Sequence, residues 1–136
     1  MAIPVTMPDM TASGHMRTWI DTYCANERNP ALVKFELQGP FNYPDVWKPP
    51  RSTFLERAGC YVIYGAGGEL RYIGMSVRAI GDRLAVHFGA PNQREPFWVN
   101  GPKATFVEIV EVFHYWEAPS LEAYLIDCAR GRGYTG

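Results

Sequence analysis

Apolar residues recur along this chain with two different periods, and the changes of period divide it into elements. Met16, Trp19, Ile20 and Tyr23 stand at helical spacing and predict a short helix over 16–24. Val33, Phe35 and Leu37 alternate with Lys34 and Glu36, which predicts a strand over 32–37. Residues 59–64 and 70–73 read as two short strands. The Gly65-Ala66-Gly67-Gly68 stretch between them reads as a hairpin turn, because glycine supplies the positive φ such turns need. Ile80, Leu84 and Phe88 define one face of a helix over 78–88, although Gly81 obscures its start. Residues 104–113 are rich in β-prone side chains, and Pro119-Ser120 opens a last helix running to about Ala129.

The remaining stretches lack a period. Residues 1–14, rich in Pro, Thr and Met, read as an arm, and 89–102 as a loop. Residues 39–52 hold four prolines among Phe41, Tyr43 and Trp47, and are expected to be an aromatic-anchored loop. It would either stack on a nucleic acid or cover a sheet edge. The expected organisation is an N-terminal extension over 1–57 and a compact α+β unit over 58–136. The unit's order is strand, strand, helix, strand, helix.

Composition narrows the class. At 136 residues, with 47% hydrophobic and 14% aromatic content, the chain suffices for one cored domain. No apolar run reaches the roughly 18 residues of a membrane span, and residues 1–9 lack the pattern of a signal peptide. The three cysteines, Cys24, Cys60 and Cys128, are widely spaced without a CxxC. That argues against a disulfide framework or a structural zinc site and predicts a reducing, cytoplasmic setting. Net charge is −1, which does not advertise tight non-specific DNA binding. Ten of the thirteen basic residues are arginine, however, the side chain best suited to bidentate phosphate contact. Arg71, Arg78, Arg83, Arg130 and Arg132 are the candidates for nucleic-acid contact.

Candidate chemistry gathers between Gly59 and His87. With a turn of two or four residues, Tyr61 lies directly opposite Tyr72 and both hydroxyls share a face. A slip of one residue would separate them. Arg83 and His87 are four apart and neighbour each other on the helix, so the arginine is placed to hold a phosphate. Glu122, in the first turn of the last helix, offers a hard oxygen donor for Mg²⁺ or Mn²⁺. Each residue also has a plain structural reading: sheet packing for the tyrosines, a solvated helix face for Arg83, a dipole-favoured carboxylate for Glu122.

Together these pieces resemble the GIY-YIG nuclease family. The first motif stands as Gly59-Cys60-Tyr61, with Cys in place of Ile, and the second, Tyr72-Ile73-Gly74, is intact. Arg83 and His87 match the family's helix pattern, and Glu122-Ala123-Tyr124-Leu125-Ile126 matches its Glu-x-x-Leu-Ile helix. The resemblance covers roughly residues 58–129. It implies a small three-stranded antiparallel sheet flanked by helices, and a metal-dependent endonuclease acting on DNA. It also implies roles. Tyr61 and Tyr72 handle the attacking water, Arg83 binds the scissile phosphate, His87 supports proton transfer and Glu122 holds Mg²⁺ or Mn²⁺. Two departures stand out. The Tyr72–Arg83 segment is about one residue longer than the family pattern, and no asparagine follows the Glu122 helix. Asn92 and Asn100 are the alternatives within the chain. The neutral charge and the missing asparagine keep a second reading open, a catalytically impaired module that binds nucleic acid or protein.

Overall fold

Helices and strands follow in the order α1 (Thr11–Asn26), β1 (Leu37–Asn42), β2 (Gly59–Tyr64), β3 (Leu70–Ser76), α2 (Ile80–Phe88), β4 (Phe106–Glu111) and α3 (Glu117–Gly131). The computed structural model describes residues 10–29, 31–42, 56–65, 67–88 and 106–133, with the backbone alone for 85–88. The expected loop over 89–102, the rest of the arm and the Pro/aromatic stretch beyond Asn42 lie outside the described residues. No helix among the described residues is long and apolar enough to cross a membrane.

The fold is α+β. Its sheet has four antiparallel strands in the order β1-β4-β2-β3, not the expected three. The extra strand comes from the N-terminal segment. It lies later than the alternation over 32–37 suggested, because that stretch buries only Phe35 and leaves Val33 67% exposed. The chain instead pairs Leu37 with Val110 and Asn42 with Phe106, covering the open edge of β4. Gly39-Pro40 is accommodated by an irregularity between Gln38 and Phe41. Edge strands tolerate a proline there because its missing N–H breaks no interior ladder.

Every residue of β2 is buried, since β4 and β3 flank it and helices cover both faces. Alternation then sorts its side chains into two cores. Cys60, Val62 and Tyr64 face α1 and α3, where Met16, Ile20, Leu121 and Leu125 meet them. Tyr61 and Ile63 face α2, where Ile80 and Leu84 pack with Val107 and Ile109. Burying each such aliphatic side chain stabilises the fold by about 1.5–3 kcal/mol.

Helix α1 begins at Thr11, inside the stretch read as an arm. Ala12 and Ser13 are buried there, so small residues are selected by close packing. Helix α3 begins two residues before Pro119. A proline is harmless in that first turn, where backbone N–H groups lack intrahelical partners. The two helices are joined by Tyr23 Oη and Ser120 Oγ at 2.8 Å. They are joined again by Arg28, which donates to both oxygens of Glu117 at 3.1 and 3.2 Å. Arg28 also donates to the Val33 carbonyl at 2.8 Å and lies 4.1 Å over the Phe35 ring.

Both side chains of this pair are about nine-tenths buried. Removing one partner therefore leaves a charge stranded in the interior. Arg28→Met is expected to destabilise the protein by about 3–5 kcal/mol in urea unfolding, and adding Glu117→Gln to restore much of the loss. A single-variant effect below about 1 kcal/mol would mean the pair is solvated and structurally idle.

Candidate active site

The hairpin turn is longer than the symmetric one its glycines suggest. Tyr64 pairs with Leu70, while the Gly65 N–H donates to the Glu69 carbonyl at 2.9 Å. A further irregularity between Ile63 and Tyr64 adds a residue on the β3 side. Consequently Tyr61 opposes Gly74, and Tyr72 opposes Ile63. The expected direct Tyr61–Tyr72 pairing is therefore wrong by two residues. Two slips of one residue restore the original parity, so both tyrosines still project from the α2 face. They meet diagonally, with ring centroids 6.0 Å apart and planes inclined by 20°.

Two glycines permit this arrangement by close approach. A Cβ on Gly74 would collide with the Tyr61 phenol and press on the Tyr72 ring, so the Tyr61 side chain occupies the space a larger residue would fill. A Cβ on Gly59 would strike the Val110 carbonyl and crowd Ile80, the first residue of α2. Its absence lets α2 settle directly over the start of β2. The entry to α2 is fixed by Ser76, whose Oγ accepts from the N–H groups of Arg78 and Ala79 at 3.1 and 3.0 Å. The Ile80 N–H donates to the Arg57 carbonyl at 2.9 Å.

Leu84 is buried beneath Tyr61 while its neighbour Arg83 remains exposed, as helical periodicity requires. The Arg83 guanidinium reaches the Tyr61 hydroxyl as a hydrogen-bond donor. Glu122, half-buried on α3, acts electrostatically on both Tyr61 and Cys60 and is itself acted on by Arg83. Four of the five expected catalytic residues, Tyr61, Tyr72, Arg83 and Glu122, thus form one electrostatic neighbourhood. His87 lies one turn beyond Arg83 on α2, but its side chain is outside the described structure. Asn92 and Asn100 are outside it too.

Burial dominates the titration of the site. It pushes the Tyr61 phenol up to about 12; Tyr72 adds to the rise and the Arg83 contact opposes it. Burial also raises the Glu122 carboxyl above its ordinary value, against the pull of Arg83. The Cys60 thiol is raised by burial and then by Glu122, and donates to the Ala118 carbonyl at 3.5 Å. It is an inert packing group rather than a nucleophile.

The other arginines are dispersed. Arg71 is exposed and paired with Glu69 at 3.0 Å. Arg78 is exposed in the turn before α2. Arg130 and Arg132 are exposed at the far end of α3, with Arg130 about 12 Å along the axis from Glu122 at 1.5 Å per residue. Among the described residues no three His, Cys, Asp or Glu side chains converge. A lone Glu122 suits a hard cation whose other ligands are water and phosphate oxygens. The support of Tyr61 by Gly74 has no direct sign in the sequence; a glycine inside a strand pattern is the available signal for such a close approach.

Comparison with protein-family models, curated proteins and solved structures gives no match.

The contact between Tyr61 and Gly74 is directly testable. Gly74→Ala is expected to destabilise the protein by about 1–3 kcal/mol through overpacking, and much less in a Tyr61→Leu background. Equal penalties in the two backgrounds would show that Tyr61 does not occupy that space.

Proposed function

We propose that this protein is a divalent-metal-dependent endonuclease of the GIY-YIG type, acting on DNA phosphodiester bonds. The observation that carries the reading is the shared neighbourhood of Tyr61, Tyr72, Arg83 and Glu122, drawn from two strands and two helices. Ordinary sheet packing accounts for the stacked tyrosines, but it does not call for an arginine and a half-buried carboxylate beside them.

In this reading Arg83 holds the scissile phosphate and meets the negative charge that develops on it. Glu122 holds Mg²⁺ or Mn²⁺. When bound, the cation supplies positive charge at the leaving oxygen. The Tyr61 oxygen accepts from Arg83, and in this reading its O–H orients a water or a phosphate oxygen. With a pKa near 12, only roughly one phenol in 10⁵ is ionised at pH 7. Tyr61 therefore works chiefly as an orienting donor, and proton removal falls to a partner such as Tyr72 or His87. Arg78 is the outlying arginine nearest in sequence to Arg83, and extends phosphate contact along the duplex. Arg71, Arg130 and Arg132 extend it further if the DNA follows the α3 side.

One observation favours a second reading. Burial moves Tyr61 away from ionisation, the opposite of what a tyrosine base requires. A GIY-YIG-like module that binds nucleic acid or protein without cutting it accommodates that shift.

Plasmid nicking in Mg²⁺ or Mn²⁺, compared with EDTA, separates the readings. Cleavage is expected with metal only. Glu122→Gln is expected to abolish it with the fold intact, and Arg83→Lys to slow it by about 10²–10³-fold. Undiminished cleavage by Glu122→Gln would overturn the site. Because the Glu122 carboxyl is raised, it takes up a proton before an ordinary carboxylate does as pH falls. Metal-dependent activity should accordingly decline at a pH above 4.5, and Mn²⁺ affinity should decline with it.

A further inference from the structure

The exposed large hydrophobic side chains among the described residues are Leu32, Val33, Val77, Phe113, Tyr115 and Trp116. They stand in connections at one end of the sheet, where β1 and β2 begin and β3 and β4 end. Arg28 draws two of these connections together, donating to the Val33 carbonyl and to Glu117, the residue after Trp116. Isolated apolar residues on a surface are ordinary, whereas a gathering of them marks a binding surface. Its richest part is the turn from β4 into α3. His114 and Trp116 stack there with ring centroids 4.4 Å apart and planes inclined by 11°, and Tyr115 meets Trp116 edge-on at 5.4 Å. All three rings are exposed, Tyr115 by 61% and Trp116 by 60%.

We propose, resting on the reading of this protein as a DNA nuclease, that His114, Tyr115 and Trp116 form a stacking platform for unpaired bases, so that the preferred substrate carries single-stranded nucleotides beside the scissile phosphate.

Ring geometry is the first support. Bases within a duplex stack on one another and show a protein only their edges and phosphates. An unpaired base offers its face, which is what an exposed aromatic ring can match. His114 and Trp116 already hold each other nearly parallel, so little ordering is needed when a base arrives. Place is the second. Trp116 is the N-cap of α3 and Glu122 is the sixth residue of that helix, which sets the platform about 9 Å along the axis from the carboxylate.

Charge is the third. Arg57 lies between the platform and α2. Its carbonyl accepts from the Ile80 N–H at 2.9 Å, and that of Ala58 accepts from the Val112 N–H at 3.1 Å. The Arg57 side chain is 66% exposed and meets Glu111 through Nη1 at 3.3 Å, and a guanidinium has donors beyond that one for a phosphate. Arg78 is exposed in the turn before α2, at the same end of the sheet. Glu36 and Glu111 line the groove beside Val33 and Phe113, so phosphates are repelled there and directed to the arginine side.

The intact protein is tested in EDTA, where no metal-dependent cleavage intervenes. Anisotropy of a fluorescein-labelled short single strand, and of the matching duplex, gives both affinities, and tryptophan emission is followed in the same titrations. Trp116→Ala is expected to weaken single-strand binding about tenfold or more and to leave duplex binding within about twofold. Trp116→Phe is expected to keep most of the affinity and to lose part of the emission quenching, which places a base on this ring. Trp116 makes no side-chain capping bond and is exposed, so both variants are expected to fold. Unchanged single-strand affinity in Trp116→Ala overturns the platform, as do equal losses for single strand and duplex. Quenching that is identical in wild type and Trp116→Phe overturns it even if Trp116→Ala fails to fold. Self-association lost in Trp116→Ala, with oligonucleotide affinity unchanged, overturns it by assigning the rings to a second copy of the chain. The nuclease reading fails separately. Absent metal-dependent nicking with Trp116-dependent single-strand binding intact removes that reading and upholds the platform, and nicking that is indifferent to Trp116 does the reverse.

Discussion

Everything in this fold is hung on β2, an interior strand with neighbours on both edges, a core on both faces and every residue buried. No position on it is free to be charged, and its side chains must fit spaces fixed by five other elements. Tyr61 inherits that rigidity. Its ring is set by Gly74 at the side, Ile109 in the flanking strand and Leu84 of α2 in the same core, so its hydroxyl is presented from a frame with little room to yield. The same immobility explains the titration of the site, since water that would stabilise a phenolate is excluded by the packing that positions the phenol.

Charges are treated differently on the two faces. On the α2 side Arg83 stays at the surface and only its partners are buried, which keeps a cation available to a ligand. On the α1/α3 side the ionisable groups are drawn inward and tied into contacts between elements distant in sequence. Arg28 and Glu117 join the end of α1 to the start of α3, and Glu108 joins β4 to α1. The acidic residues at 108, 111 and 117, adjacent on paper, are thereby dispersed. Glu111 pairs with Arg57 at 3.3 Å at the surface, Glu117 with Arg28, and Glu108 meets Ser13 in the interior.

Much of this was legible in the sequence. The hairpin, α2, β4 and α3 announced themselves through periodicity and punctuation. Arg83 stands on α2 as expected, whereas Glu122 falls in the second turn of α3 rather than its first, because the helix starts at Glu117. Register was not legible, because the Gly65–Gly68 run is compatible with several turns and the sequence does not say where a bulge falls. Strand β1 was hidden by its own Gly39-Pro40, a pair that reads as a loop until the edge of β4 is there to receive it. The burial of Glu108 was visible in principle. It shares parity with Val110 and Val112, so alternation alone places a carboxylate on an apolar face.

The two offsets in the hairpin carry an evolutionary consequence. Each alone would turn Tyr72 to the other side of the sheet, and only their sum keeps it beside Tyr61. Insertions and deletions in the Gly65–Arg71 stretch are therefore not equivalent. Drift in loop length that preserves the tyrosine pair must proceed in steps of two residues, or in single steps matched by the gain or loss of the bulge. Lineages descending from such a hairpin would carry turns of one length parity wherever the bulge is kept, and of the other wherever it has been lost.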